Sequence, residues 1–199
     1  MAHYSKIQKQ TLADVEQLEQ AIRDRLVYGV LRALEAEVLA GSGTGPHIRG
    51  ILSTSGIGTV AYSASELPAD QVLRGIVSVI AAGANATGIV MNENDWASAL
   101  IAKPTSGDGH YYSGGPFSST PQVMWGVPLV PSPAISAGTV LVGDFSLGAQ
   151  LFIREGVNVL LSDSDGDDFI KNKITLLGEM RAALAVWRPT AFCSVDIAA

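Results

Sequence analysis

The residues able to do chemistry are few and scattered. His3, His47 and His110 are the three histidines, and Cys193 is the single cysteine. No His-x-x-x-His pair occurs, so zinc-ligand spacing is absent. Cys193 lies in an apolar C-terminal stretch, where a thiol is ordinarily buried and inert. Asp163-Ser-Asp-Gly-Asp-Asp168 packs four carboxylates into six residues. An EF-hand loop needs Gly at its sixth position and Glu at its twelfth. Counted from Asp163, Gly166 is fourth and Ile174 twelfth, so the run reads as a solvated acidic turn whose carboxylates cap backbone amides. Glu179 and Arg181 stand among apolar residues and read as an ion pair, within or between subunits, in preference to an acid/base couple. Gly41-Ser-Gly-Thr-Gly-Pro46 has the glycines of a phosphate loop but follows a helix, precedes Pro46 and has no Lys-Ser/Thr, so it reads as a structural turn. No Gly-x-Ser-x-Gly nucleophile elbow is present. These residues make no catalytic, cofactor or metal constellation, and the expectation is a non-enzymatic chain.

The elements that hold them are organised around residues 14–40, which read as one long amphipathic helix. Val15, Leu18, Ile22, Leu26, Val30, Leu34 and Val38 recur every three or four residues on one face. Asp14 with Gln17 is read as its capping box and Gly41 as its left-handed C-cap. At 1.5 Å per residue it is about 40 Å long, a spine for other elements. Residues 3–10 are polar, and with no first strand to pair with the chain reads as truncated. A short strand is expected at 50–52, a helix at 69–84 ended by Gly83 or Gly88, and a strand at 87–91. Asn92 caps a third helix over 93–101, with Asp95 in its first turn. Residues 103–120 form a Gly/Ser/Pro loop. Residues 121–131, bounded and interrupted by Pro121, Pro128 and Pro131, make an edge or irregular strand, and 139–143 another strand. A helical turn is expected at 146–150, then a strand pair, 149–154 and 157–162, around Glu155-Gly156. The apolar positions of 169–186 do not decide helix from strand. Residues 191–197 alternate as a final strand.

The chain has 199 residues, 47% hydrophobic and only 16% charged, with 21 Gly and 9 Pro. The core is therefore large relative to the polar surface, or more is buried on assembly. No run of eighteen apolar residues exists, and Arg74 interrupts the apolar stretch 72–84. A net charge of −6 disfavours a general nucleic-acid-binding surface. A lone cysteine permits no internal disulfide.

Several segments, taken in order, resemble a known family. They are Gly-Ser-Gly-Thr-Gly45 after the long helix, Gly-Ile-Val-Met-Asn92 with Asp95-Trp96, Met-Trp-Gly-Val-Pro-Leu-Val130 and Val-Gly-Asp-Phe145. The last are Asp-Phe-Ile-Lys-Asn172, Arg181-Ala-Ala-Leu-Ala and Arg188-Pro-Thr-Ala191. Together they resemble the major capsid protein of tailed bacteriophages, Hong Kong 97 type. The resemblance implies an α+β fold with a spine helix over 14–40. Residues 1–49 would be the first part of a peripheral domain, 50–150 an axial domain, and 151–199 the second peripheral part with a long strand over 169–186. It implies a subunit that tiles an icosahedral shell around DNA as pentamers and hexamers, located in the virion and assembled in the bacterial cytoplasm. Itself would be the main partner, with scaffold or portal proteins and no membrane. Family members carry an N-terminal arm and an extended loop before the spine. This chain starts where that loop returns, and shell closure without both is in question. In the self-crosslinking type a loop lysine attacks an asparagine assisted by a glutamate. The matching positions are Asn172 and Glu179, and Asn172 is taken as structural.

Two other readings make different expectations. An encapsulin-like bacterial nanocompartment would share the fold but enclose a cargo enzyme, and a neighbouring cargo gene in place of portal and protease genes would mark it. A small-molecule-binding α/β enzyme domain with 103–120 as a lid would need a pocket with convergent polar groups, for which Asp108, His110 and Tyr111 are the material.

Overall fold

The structure is a computed structural model that describes residues 1–14, 16–103 and 122–198, with no side-chain description at 13–16. The elements in chain order are β1 (Ala2–Gln8), α1 (Lys9–Asp14), α2 (Glu16–Ala40), β2 (Gly58–Val60), α3 (Pro68–Ala81), β3 (Gly88–Met91), α4 (Glu93–Ile101), β4 (Val123–Met124), β5 (Val127–Pro131), β6 (Thr139–Gly143), β7 (Ala149–Ser162), β8 (Lys173–Val186), a 3₁₀ turn at Pro189–Ala191 and β9 (Phe192–Asp196). They form two compact units, 1–37 with 151–183 and 38–150 with 184–199.

In the first unit a three-stranded sheet, ordered β1-β8-β7, accompanies the long helix. β1 runs antiparallel to β8 from Ala2 opposite Glu179 to Gln8 opposite Lys173. The polar residues 3–10, expected to lack a strand, thus supply one, because an edge strand needs backbone partners rather than an apolar face. Helix α2 turns Leu26, Val30 and Leu34 inward, as its 3.6-residue period requires. Gly178 of β8 lies over Leu26 and Val30, and the His3 ring lies on Gly29. Lys9–Asp14 is already helical, so Asp14 does not open the helical stretch.

The second unit is a six-stranded mixed sheet ordered β2-β9-β6-β3-β5-β4. α3 covers one face, where Val72, Ile76 and Val79 meet Ile89, Val140, Val142 and Val195. Gly75 makes this possible, since a Cβ there would strike Val195. The other face packs Leu39, Ile51, Val90, Ile135, Leu141 and Phe192. Alternate residues of β6 and β9 serve opposite faces, as the period of two dictates. The C-terminal strand, expected in the peripheral part 151–199, is instead paired with β6 and β2 inside this sheet. The division between units accordingly falls at 183/184 as well as near 37 and 150.

Other expectations shift by local chemistry. α2 ends at Ala40, but Gly41 has no positive φ. The helix is closed instead by the Ile51 and Leu52 amides, which donate to the Val38 and Leu39 carbonyls. Gly50 is what permits that approach, because a Cβ there would lie 2.5 Å from the Gly41 nitrogen. Residues 50–52 therefore turn instead of forming a strand. Gly83, at φ 75°, follows α3 as a left-handed C′ residue. The segment 121–131 is broken by Trp125-Gly126, both at positive φ (53° and 78°), a two-residue hairpin turn of the I′ kind. Residues 149–162 are one continuous strand, not a pair, and 173–186 is strand.

Candidate functional site

The acidic turn lies between β7 and β8 and is neutralised from within its own unit. Lys6 Nζ is 2.8 Å from Asp165 and 3.0 Å from Asp168. Asp168 is buried, and its second oxygen accepts the Thr175 hydroxyl at 2.5 Å. That hydrogen bond holds the Asp168 carboxyl below the usual carboxylate range; burial opposes it and Lys6 reinforces it. The bonds to Asp165 and Asp168 push Lys6 above the usual lysine value. Lys171 pairs with Asp167 at 3.1 Å and Lys9 with Asp163 at 3.7 Å. Every carboxylate of the run has a cation; Asp163, Asp165 and Asp167 stay in solvent as expected, and Asp168 is the one buried member. Among the described residues no three or more His, Cys, Asp and Glu side chains are placed to hold a metal ion.

The remaining candidates are dispersed. Asn172 sits at φ 53° where the turn enters β8, and its carbonyl accepts the Lys9 amide. Glu179 is seven residues further along, about 23 Å at strand rise, opposite Ala2. Arg181 reaches Glu155 of β7 at 3.7 Å, so the expected ion pair at this position uses Glu155. His3 is on β1, and His47 is in the turn after α2. His110, Tyr111 and Asp108 lie outside the described residues. Cys193 is fully buried in β9, and burial raises its thiol pKa. Asn92 caps α4 as expected, accepting the Asn94 amide at 3.0 Å while its Nδ2 donates to the Ile135 carbonyl. Asp95 accepts the Gly138 amide at 2.8 Å.

A cavity of about 530 Å³ opens in the second unit between α3, α4 and the β4–β5 hairpin. Val72, Met91, Met124, Trp125 and Ile197 are among the residues that line it. Its Asp95 is already engaged with the backbone, and the convergent polar set that an enzyme pocket needs is not formed there by the described residues.

An exposed apolar run with a regular backbone lies on the β7–β8 hairpin. Leu151, Phe152, Ile153, Leu160 and Leu161 are exposed along β7, and Phe169 and Ile170 at the turn are 79% and 83% exposed. A soluble monomer rarely leaves this much apolar side chain in water. Composition foreshadowed such a surface without locating it. Lys6, the hub of the acidic turn, had no signal in the sequence, since its strand is polar and its partners lie some 160 residues away.

Comparison with known proteins decides what this architecture is. A sequence profile of the phage capsid family matches residues 1–197. This chain belongs to the phage capsid family. It is 36% identical over 192 residues, 96% of its length, to the major capsid protein of Enterobacteria phage HK97. It spans 49% of that relative, about half. Among solved structures it resembles the capsid of an empty GTA particle (TM-score 0.79, 21% identity), covering all of this chain and 73% of the other. It also resembles a chain from Mycobacterium phage Ogopogo (TM-score 0.76, 18% identity), covering all of this chain and 75% of that one. The fold is the α+β capsid fold of the Hong Kong 97 type. The family is a structural one.

Proposed function

We propose that this chain is a structural subunit of an icosahedral bacteriophage capsid, associating with copies of itself as pentamers and hexamers that enclose DNA. The observation that carries the reading is the 36% identity to a phage major capsid protein across nearly the whole chain. The exposed apolar strand β7 supports it, because assembly is what buries such a surface. The first unit corresponds to a peripheral domain and the second to an axial domain, with α2 as the spine. The reading assigns no enzymatic turnover, no cofactor and no metal. DNA is enclosed without sequence-specific contacts, scaffold or portal proteins are accessory partners, and the product is a virion component assembled in the bacterial cytoplasm. No helix among the described residues is long and apolar enough to cross a membrane. The encapsulin-like and enzymatic readings gain nothing from the relatives above, whose names are those of phage and GTA capsids.

The test is size-exclusion chromatography with light scattering, followed by electron microscopy of the largest fraction. Five- or six-membered rings or closed shells support the reading. A discrete small-molecule complex with turnover goes against it.

A further inference from the structure

The two sheets treat their edges differently. The six-stranded sheet ends in β2 and β4, three and two residues long. Edges that short offer almost nothing for another strand to pair with. The three-stranded sheet ends on one side in β7, fourteen residues long and exposed along most of its length. β7 contains neither Pro nor Lys, the residues that usually blunt an edge. The Val159 carbonyl already takes a donor from outside the sheet, the Arg23 guanidinium at 3.4 Å.

The sequence of β7 is symmetric in character about Gly156. Outward on either side come Glu155 and Val157, Arg154 and Asn158, Ile153 and Val159, Phe152 and Leu160, Leu151 and Leu161, and Gln150 and Ser162. We infer that β7 pairs edge to edge with β7 of a second copy of this chain, antiparallel, about a two-fold axis through Gly156. Directly opposed residues of an antiparallel pair share a face, so their numbers must have the same parity, and a two-fold axis then passes through a residue position. Centring the axis on Gly156 sets Ile153 against Val159, Phe152 against Leu160 and Leu151 against Leu161. Centring it on Glu155 or Arg154 instead opposes two like charges. Centring it on Val157 sets Arg154 against Leu160. Gly156 is thus the centre that sets the most apolar residues against one another, with Glu155 opposite Val157 as the exception. Gly156 suits an axial position, since a Cβ there meets nothing within 4 Å. Pairing buries on the order of 1,000 Å² in total, the low end for a specific contact, so the dimer is weak and concentration-dependent. An isologous contact of this kind joins two copies and closes. It stands on the strand itself and not on shell assembly.

The test is Gly156→Cys, mildly oxidised at increasing concentration, with Glu155→Cys as the register control. The expected result is a disulfide-linked dimer through residue 156, at least several-fold more abundant than for residue 155, whose opposite number is Val157. The buried Cys193 serves as an internal blank. In the unmodified protein, β7 amides gain protection from hydrogen exchange as concentration rises, and Ile153→Lys removes that gain while leaving the circular dichroism unchanged. Equal crosslinking at 155 and 156, or β7 protection that ignores concentration, overturns the pairing. Rings or shells that form without a 156–156 crosslink overturn it while leaving the shell reading in place. A crosslinked dimer with nothing larger sustains the pairing and counts against the shell.

Discussion

A few side chains carry conditions that the rest of the fold must meet. Asp168 is held below its ordinary pKa by the Thr175 hydroxyl, with Lys6 helping. The stabilisation is present above the ordinary carboxylate value and is lost as pH falls through the lowered one. Lys6 is raised, so its share is present below about 10.5 and disappears as pH climbs through the raised value. Asp168→Asn is expected to flatten the acid limb of a stability–pH profile followed by urea denaturation; an unchanged acid limb would place the sensitivity elsewhere. Asn92 both caps α4 and satisfies the buried Ile135 carbonyl, so Asn92→Ala should cost about 2 kcal/mol, the sum of a cap and an orphaned acceptor. Gly143→Ala should cost about 1–3 kcal/mol, because the added methyl would strike the Phe192 ring and sit 3.0 Å from the Ala191 carbonyl. Shifts in urea midpoint test both; a neutral Gly143→Ala would mean that Phe192 moves freely, against its edge-on packing with Phe145 at 5.4 Å.

At the scale of elements, the sequence is most legible where a cap or a continuous apolar run marks the element. α4 and β6 fall on 93–101 and 139–143 as expected, because caps and runs of buried residues marked them. The inward face of α2 is the one its period predicts. β7 reads as two strands in the sequence because it is exposed on both faces and lacks the two-residue alternation, while Glu155-Gly156 imitates a turn. β1 leaves no local signal because its stability comes from pairing with β8, a contact distant in sequence. The Lys6–Asp168 contact was hidden for the same reason. The end of α2 is a further case: its cap is supplied by Ile51 and Leu52, brought round by Gly50. Gly50→Ala, whose methyl would meet backbone at 2.5–2.8 Å, is expected to speed amide exchange at Ile51 and Leu52 by tenfold or more. Exchange at the wild-type rate would show that the cap does not depend on this close approach.

For the whole molecule, family membership and surface chemistry point the same way. A chain with 16% charged residues and a fourteen-residue strand carrying five exposed large apolar side chains is poorly suited to solitude in water and well suited to burying that surface against copies of itself. Its net charge of −6 disfavours a general nucleic-acid-binding surface. The most direct test of the central claim is the mass of the purified chain by light scattering across a hundredfold range of concentration, with microscopy of the largest species. The account predicts five- or six-membered rings or shells that grow with concentration. A monomer, or a dimer with nothing larger, at every concentration would contradict it.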